Sequence, residues 1–122
     1  MENGNRNLVV LITHGTEHEL SSVAFTIANG GLTAGLGVSI FLTSAGVDLV
    51  RKRAALSTLV APLEPLEAMI GDFIKRGGTL WACTPCVKAR GYESDDLIDG
   101  VTVTGASKMH ELIKQGAATL SF

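Results

Sequence analysis

Apolar and polar positions along this chain switch between two periods. Leu8-Val9-Val10-Leu11-Ile12 is a continuous apolar run rich in branched side chains, the pattern of a strand buried on both faces. After the polar loop Thr13-His14-Gly15-Thr16, the segment from Glu17 to Ala34 predicts a helix, because Leu20, Val23, Ala24, Ile27 and Gly31 recur at helical spacing. Glu17 and Glu19 suit its positive amino end. Gly30 and Gly31 disfavour its last turns but allow close packing on a sheet, and Gly35 and Gly37 end it. Val38-Ser39-Ile40-Phe41-Leu42 predicts a second strand. From Ser44 to Leu59 the pattern suggests a short helix with a basic end, Arg51-Lys52-Arg53, then an uncharged loop through Ala61.

The period is clearest from Pro65 to Lys75, where Leu66, Met69, Ile70, Phe73 and Ile74 share one helical face. Pro65 and Gly77-Gly78 are its start and stop signals. Thr79 to Ala82 predicts the third strand. An acidic turn or short helix from Glu93 to Asp96 ends near Gly100, and Val101-Thr102-Val103 predicts the fourth strand. Ala106 to Gln115 predicts a helix with Met109, Leu112 and Ile113 facing inward, and Ala118 to Phe122 a fifth strand. Strands alternating with helices argue for an α/β fold with a parallel, doubly wound sheet.

Composition narrows the function. The 122 residues suit one domain spanning 1–122. Charged residues make up only 18% against 46% hydrophobic ones, below the roughly 25% charge usual for soluble proteins, which hints at subunit contacts. The net charge of −2 gives no electrostatic reason to expect nucleic acid. No apolar run reaches the roughly 18 residues of a membrane span. The stretch from Met1 to Asn7 is polar and lacks the apolar core of a secretory signal. A cytoplasmic protein is therefore expected, where a CxxC pair is more often catalytic, redox-active or metal-binding than a staple.

That pair is the one reactive feature on display. The only two cysteines, Cys83 and Cys86, stand where the apolar run Leu80-Trp81-Ala82 gives way to the cationic Val87-Lys88-Ala89-Arg90-Gly91. A thiol between a strand end and a basic turn should have its pKa lowered, and the thiolate is the nucleophile. In an open parallel sheet ligands bind beyond the carboxyl ends of the strands. The polar loops there would be Thr13 to Thr16, Thr43 to Gly46 and Cys83 to Gly91, which puts His14 and both cysteines on one rim. The bland alternatives are two half-buried, unreactive cysteines, a His14 bonded only to backbone, and solvated charges at Lys88, Arg90 and Arg51 to Arg53. His18 and His110 sit on predicted helices as solvated residues. Zinc needs four ligands, and one cysteine pair without finger-like histidine spacing does not supply them. A thioredoxin fold would carry CxxC after its first strand, not after two βα units. Dithiol exchange and transfer of a sulfane sulfur, with no metal or organic cofactor, both remain open.

Several stretches together resemble the DsrE/DsrF-like family, which includes the YchN-like proteins and the Tus sulfur-relay subunits. They are Leu8 to Ile12 with its polar loop, Ala28-Asn29-Gly30-Gly31-Leu32-Thr33-Ala34-Gly35, Val38 to Val47, and the segments Met109 to Leu112 and Thr119 to Phe122. Most specific is Cys83-Thr84-Pro85-Cys86-Val87-Lys88-Ala89-Arg90-Gly91, similar to the CxxCxxARG signature of the YchN-like branch. The resemblance implies a three-layer α/β/α sandwich with a five-stranded, mainly parallel sheet, assembled into homotrimers or hexamers. It implies a sulfur-relay protein that accepts sulfane sulfur as a cysteine persulfide, with a small TusA-like carrier as donor or recipient. Cys83, whose spacing from Gly91 is similar to that in the relay subunits, would be the acceptor, Cys86 an assisting or resolving thiol, Arg90 an anion stabiliser and His14 a proton shuttle. The second cysteine departs from the relay subunits and would allow reductive release. A non-enzymatic oligomeric binding module and a CxxC dithiol oxidoreductase are the alternatives.

Overall fold

A computed structural model describes residues 6–122; of the polar amino-terminal stretch, residues 1–5 lie outside the described part. Five strands, β1 (Asn7–Ile12), β2 (Gly37–Leu42), β3 (Thr79–Cys83), β4 (Val101–Thr104) and β5 (Ala118–Ser121), form one sheet in the order β4-β3-β2-β1-β5. Every pairing is parallel. The helices are α1 (Glu19–Thr33), α2 (Leu66–Lys75), α3 (Thr84–Ala89) and α4 (Ser107–Lys114). Two 3₁₀ turns, Ser44–Val50 and Ser94–Asp96, complete the elements.

The strand order dictates the layers. From β1 to β4 the chain steps across the sheet in one direction, so right-handed crossovers place α1 and α2 on one face. The step from β4 back to β5 reverses direction and sends α4 to the other face. The apolar runs serve both faces. Leu8, Val10, Ile12, Val38, Ile40, Leu42, Leu80 and Ala82 form the main core with Phe25 of α1 and Phe73 of α2. The two phenylalanine rings meet edge to face, with centroids 5.9 Å apart, a favoured aromatic geometry. Val9 and Phe41 point the other way and are also buried. At Gly31 α1 packs close on the sheet: a Cβ there would sit 3.0 Å from Val38 Cγ2 and 3.3 Å from Leu8 Cδ2. Gly30, beside it, faces open space.

Three expectations are corrected. The first helix starts at Glu19 rather than Glu17, because His18 caps it: its Nδ1 accepts the Leu20 N–H at 3.1 Å. The third strand reaches Cys83, one residue further than the apolar run, so Cys83 both ends β3 and caps α3. The inward face read for α4 is only half right. Met109 and Leu112 are half-buried, but Ile113 is 37% exposed, and α4 has no buried residue. Among the described residues a single eight-residue helix is the whole layer on its side of the sheet, so none of them forms a neighbouring helix for it to pack against. Edge strand β5 is exposed along its length. Among the described residues no helix is long and apolar enough to cross a membrane.

Candidate functional site

Three loops meet at the carboxyl ends of β1, β2 and β3. The chain leaves β2 at Thr43 and turns sharply into the 3₁₀ turn at Ser44, whose φ is +53°, a left-handed backbone that serine seldom adopts. The turn is pressed against the end of β1 at Gly46, where any Cβ would run into the Ile12 carbonyl oxygen. Its apolar side, Val47, Leu49 and Val50, is buried. The loop is therefore tightly held, and it presents Thr43 and Ser44 to the end of β3.

Both cysteines are unpaired and half-buried there. Cys86 lies in the first turn of α3 and faces the β2 loop. Its Sγ accepts the Ser44 N–H at 3.2 Å, and the Thr43 hydroxyl stands 3.5 Å away, placed to donate once the thiol ionises. The Cys86 pKa falls below its ordinary value. The Thr43 hydroxyl contributes most, burial opposes it, and the Ser44 N–H, the Cys83 thiol and the positive charge of Arg90 add to the lowering. Hydrogen bonds and a nearby cation both favour the thiolate.

Arg90 is held in place by a network the sequence did not suggest. Its Nε donates to Asp48 Oδ1 at 3.1 Å, and the Tyr92 hydroxyl donates to the same oxygen. Arg51 lies over the Tyr92 ring, 6.0 Å from its centroid, at the range of a cation–π contact. Burial first, then the bond to Asp48 and its negative charge, raise the Tyr92 pKa. The tyrosine thus remains a neutral donor and shares the carboxylate with Arg90.

His14 shares the rim but not the sulfur. The Ser21 hydroxyl bonds the His14 and Gly15 carbonyls at 2.8 and 2.7 Å and fixes the loop. Gly15 packs on the Ala45 carbonyl of the β2 loop. The His14 ring lies against His18, tilted by 34° with centroids 3.9 Å apart, and its Nδ1 is buried without a partner among the described residues. Strand β2 intervenes between β1 and β3, a separation of about 10 Å. Among the described residues no hydrogen bond joins His14 to either cysteine. Lys88 is exposed, as are Arg51, Lys52 and Arg53. Among the described residues no three His, Cys, Asp or Glu side chains gather as a metal set.

The site thus brings Cys83, Cys86 and Arg90 together and leaves His14 at its margin. Thr43 and Ser44 lay within a loop already marked by its polarity and position. Asp48 and Tyr92 carried no signal, since their pairing depends on contacts 44 residues apart in the chain.

Comparison with known proteins agrees with this architecture. The model of the DsrE/DsrF-like family matches residues 6–122. The chain belongs to that family. It is 35% identical over 107 residues to an uncharacterized protein of Methanocaldococcus jannaschii, covering 85% of this chain and 86% of the relative. A second relative, from Methanopyrus kandleri, is 34% identical over 100 residues, covering 82% and 75%. Among solved structures the fold matches the ychN protein of E. coli with a TM-score of 0.78 at 16% identity, covering 98% of this chain and all of that one. A protein of Methanobacterium thermoautotrophicum matches with a TM-score of 0.75 at 19% identity, covering 97% and 100%. At such identities the structural likeness concerns the fold, and family membership rests on the sequence match.

Proposed function

We propose that this DsrE/DsrF-like protein carries sulfane sulfur as a persulfide on Cys86. The observation behind the proposal is the pair of donors at Cys86 Sγ, the Ser44 N–H at 3.2 Å and the Thr43 hydroxyl at 3.5 Å, with Cys83 and the charge of Arg90 adding to its lowered pKa. The resemblance to the relay subunits implied Cys83 as acceptor; the donor set favours exchanging the two roles. Family membership, extending over almost the whole chain, supports sulfur relay as the setting.

In the loading step the Cys86 thiolate attacks the outer sulfur of a persulfide R–S–SH. A new S–S bond forms, the old one breaks, and R–S⁻ leaves with the electron pair. The new persulfide passes its proton to R–S⁻, and its terminal anion faces the same donors and Arg90. In the release step the outer sulfur passes to an acceptor thiolate, a small TusA-like carrier protein being the proposed partner. Alternatively, Cys83 attacks Cys86 Sγ and expels HS⁻. Its thiol proton goes to the leaving sulfur, two cysteines are oxidised to a disulfide as the sulfane sulfur is reduced, and a reducing dithiol restores the pair. That branch explains a use for the second cysteine, and a cytoplasmic setting would supply the dithiol. The proposal assigns His14 no direct proton transfer to sulfur. It includes assembly into homotrimers or hexamers, for which exposed Val103, Ile113 and Leu120 offer apolar surface.

The test is mass spectrometry of the peptide bearing both cysteines after exposure of the protein to inorganic polysulfide. Wild type should gain sulfur, and Cys83→Ser should gain and retain it. Cys86→Ser should gain at least tenfold less. Failure of wild type to gain sulfur, beside a control protein that does, would overturn the proposal. A disulfide with no persulfide at any time would favour dithiol exchange instead. Loading that persists in Cys86→Ser and vanishes in Cys83→Ser would return the acceptor role to Cys83.

A further inference from the structure

Away from the cysteine rim, on the flank of α2, a cavity of about 360 Å³ opens between that helix, the segment after the first 3₁₀ turn, and the approach to β4. This volume lies in the range of small-molecule sites. Leu49, Ile70, Ile74 and Ile98 make its apolar floor. Its rim carries three cations, Arg51, Arg53 and Lys75, against two carboxylates, Glu67 and Asp99. The rim is therefore cationic by one charge.

Two further observations suggest that the space is kept open and charged. Gly71 lies inside α2 and lines the cavity. Glycine is among the poorest helix formers, and no packing explains it here, since a Cβ at Gly71 would meet no atom within 4 Å. A larger side chain would extend only into open space, at the cavity wall. Arg53, on the opposite wall, has a φ of +70°. Left-handed backbone at a residue other than glycine stores strain, and such strain gathers at ligand clamps. Arg51 is also pre-positioned, its backbone bridged to Leu97 and its guanidinium over the Tyr92 ring.

We propose that this cavity binds a small amphipathic anion, an aliphatic chain ending in a carboxylate. The chain would lie on the isoleucine and leucine floor beside Gly71, and the planar head group would pair with a guanidinium, whose fork matches a carboxylate. The site is separate from the cysteines, and its test does not depend on sulfur transfer.

The test titrates the full chain with octanoate, 1-octanol and octylamine by calorimetry, with backbone amide shifts to locate the binding. Octanoate should bind one per chain, at least tenfold tighter than the other two, and should shift amides at Gly71, Ile98 and Arg53. Gly71→Ala should raise the thermal midpoint by about 3–6 °C and weaken octanoate severalfold. Gly71→Leu should weaken it at least tenfold while the chain stays folded. Arg53→Gly, which relieves the backbone and removes the guanidinium, should erase the preference for octanoate over octanol. Absence of saturable binding, equal binding of octanol, or shifts confined to another surface would overturn the proposal. So would octanoate affinity unchanged in both Gly71→Ala and Arg53→Gly, a criterion that holds even where Gly71→Leu does not fold. Self-association that Gly71→Leu abolishes, without octanoate binding in wild type, would assign the cavity to a second copy and also overturn it.

Discussion

The backbone N–H of Ser44 lies 3.2 Å from Cys86 Sγ, across 42 residues of chain. A main-chain donor of this kind survives any side-chain change at Ser44 that keeps the left-handed turn. The adjustable part of the Cys86 environment is therefore the Thr43 hydroxyl, the largest single contribution to its lowered pKa.

Thr43→Val keeps the shape and removes that donor. Alkylation of Cys86, followed in a Cys83→Ser background below the thiol pKa, should slow roughly fivefold, the equivalent of about 1 kcal/mol for one lost hydrogen bond. The midpoint of its rate-against-pH curve should move upward. An unchanged curve would remove Thr43 from the account.

The same pKa shift makes stability depend on pH. The thiolate is favoured in the folded chain, so its contribution is fully present above the unfolded thiol value, taken as 9.0, and is lost as pH falls through the lower folded value. Urea unfolding of wild type and Cys86→Ala should therefore diverge as pH rises toward 9.0, with wild type gaining on the variant. A constant gap across that window would contradict the assignment.

Tyr92 tests the network behind Arg90, and it is the one tyrosine in the chain, so its ultraviolet titration is unambiguous. The phenol should ionise above 10.0. Its neutral form is favoured in the folded chain, so this contribution is present below the unfolded value and is lost as pH rises through the folded one. Asp48→Asn should lower the midpoint without abolishing the shift, because burial remains the first cause. It should also free Arg90 and change the rate at which Cys86 alkylates. A Tyr92 midpoint unmoved by Asp48→Asn would mean that the hydrogen bond does not form in solution.

Gly46→Ala probes the support of the donor loop. The added Cβ would press on the Ile12 carbonyl, and the loop must shift to admit it. Overpacking of this kind costs about 1–3 kcal/mol, measurable by urea unfolding. Because the same loop carries Thr43 and Ser44, Cys86 alkylation below its pKa should slow in parallel. Loss of stability with no change in alkylation would separate the loop from the thiolate.

Much of the fold was legible in the residues because each element obeys a local period. β1 read as a continuous apolar run and β2 as a largely apolar one since both faces of the central strands are covered, and α2 read cleanly because one face meets the core and the other meets water. α4 read less well: Ile113 follows the helical period, but among the described residues no second helix lies beside α4 to bury it. At the site, the CxxC pair, Arg90 and the polar loop after β2 were visible as residue types at strand ends. Their ranking was not. Resemblance to the relay subunits pointed to Cys83, whereas the donors reach Cys86 from the loop after a neighbouring strand.

By itself, then, the sequence determined the order of strands and helices, the rim on which polar loops must gather, and the cysteine pair as the candidate chemistry, because these depend on hydrophobic period and side-chain chemistry alone. The tertiary structure decided which thiol receives the hydrogen bonds, that Asp48 and Tyr92 hold Arg90, that His14 is kept a strand away from the sulfurs, and that Gly71 borders an open cavity. Each of those is a distance between residues far apart in the chain, which is set only when the sheet closes its register.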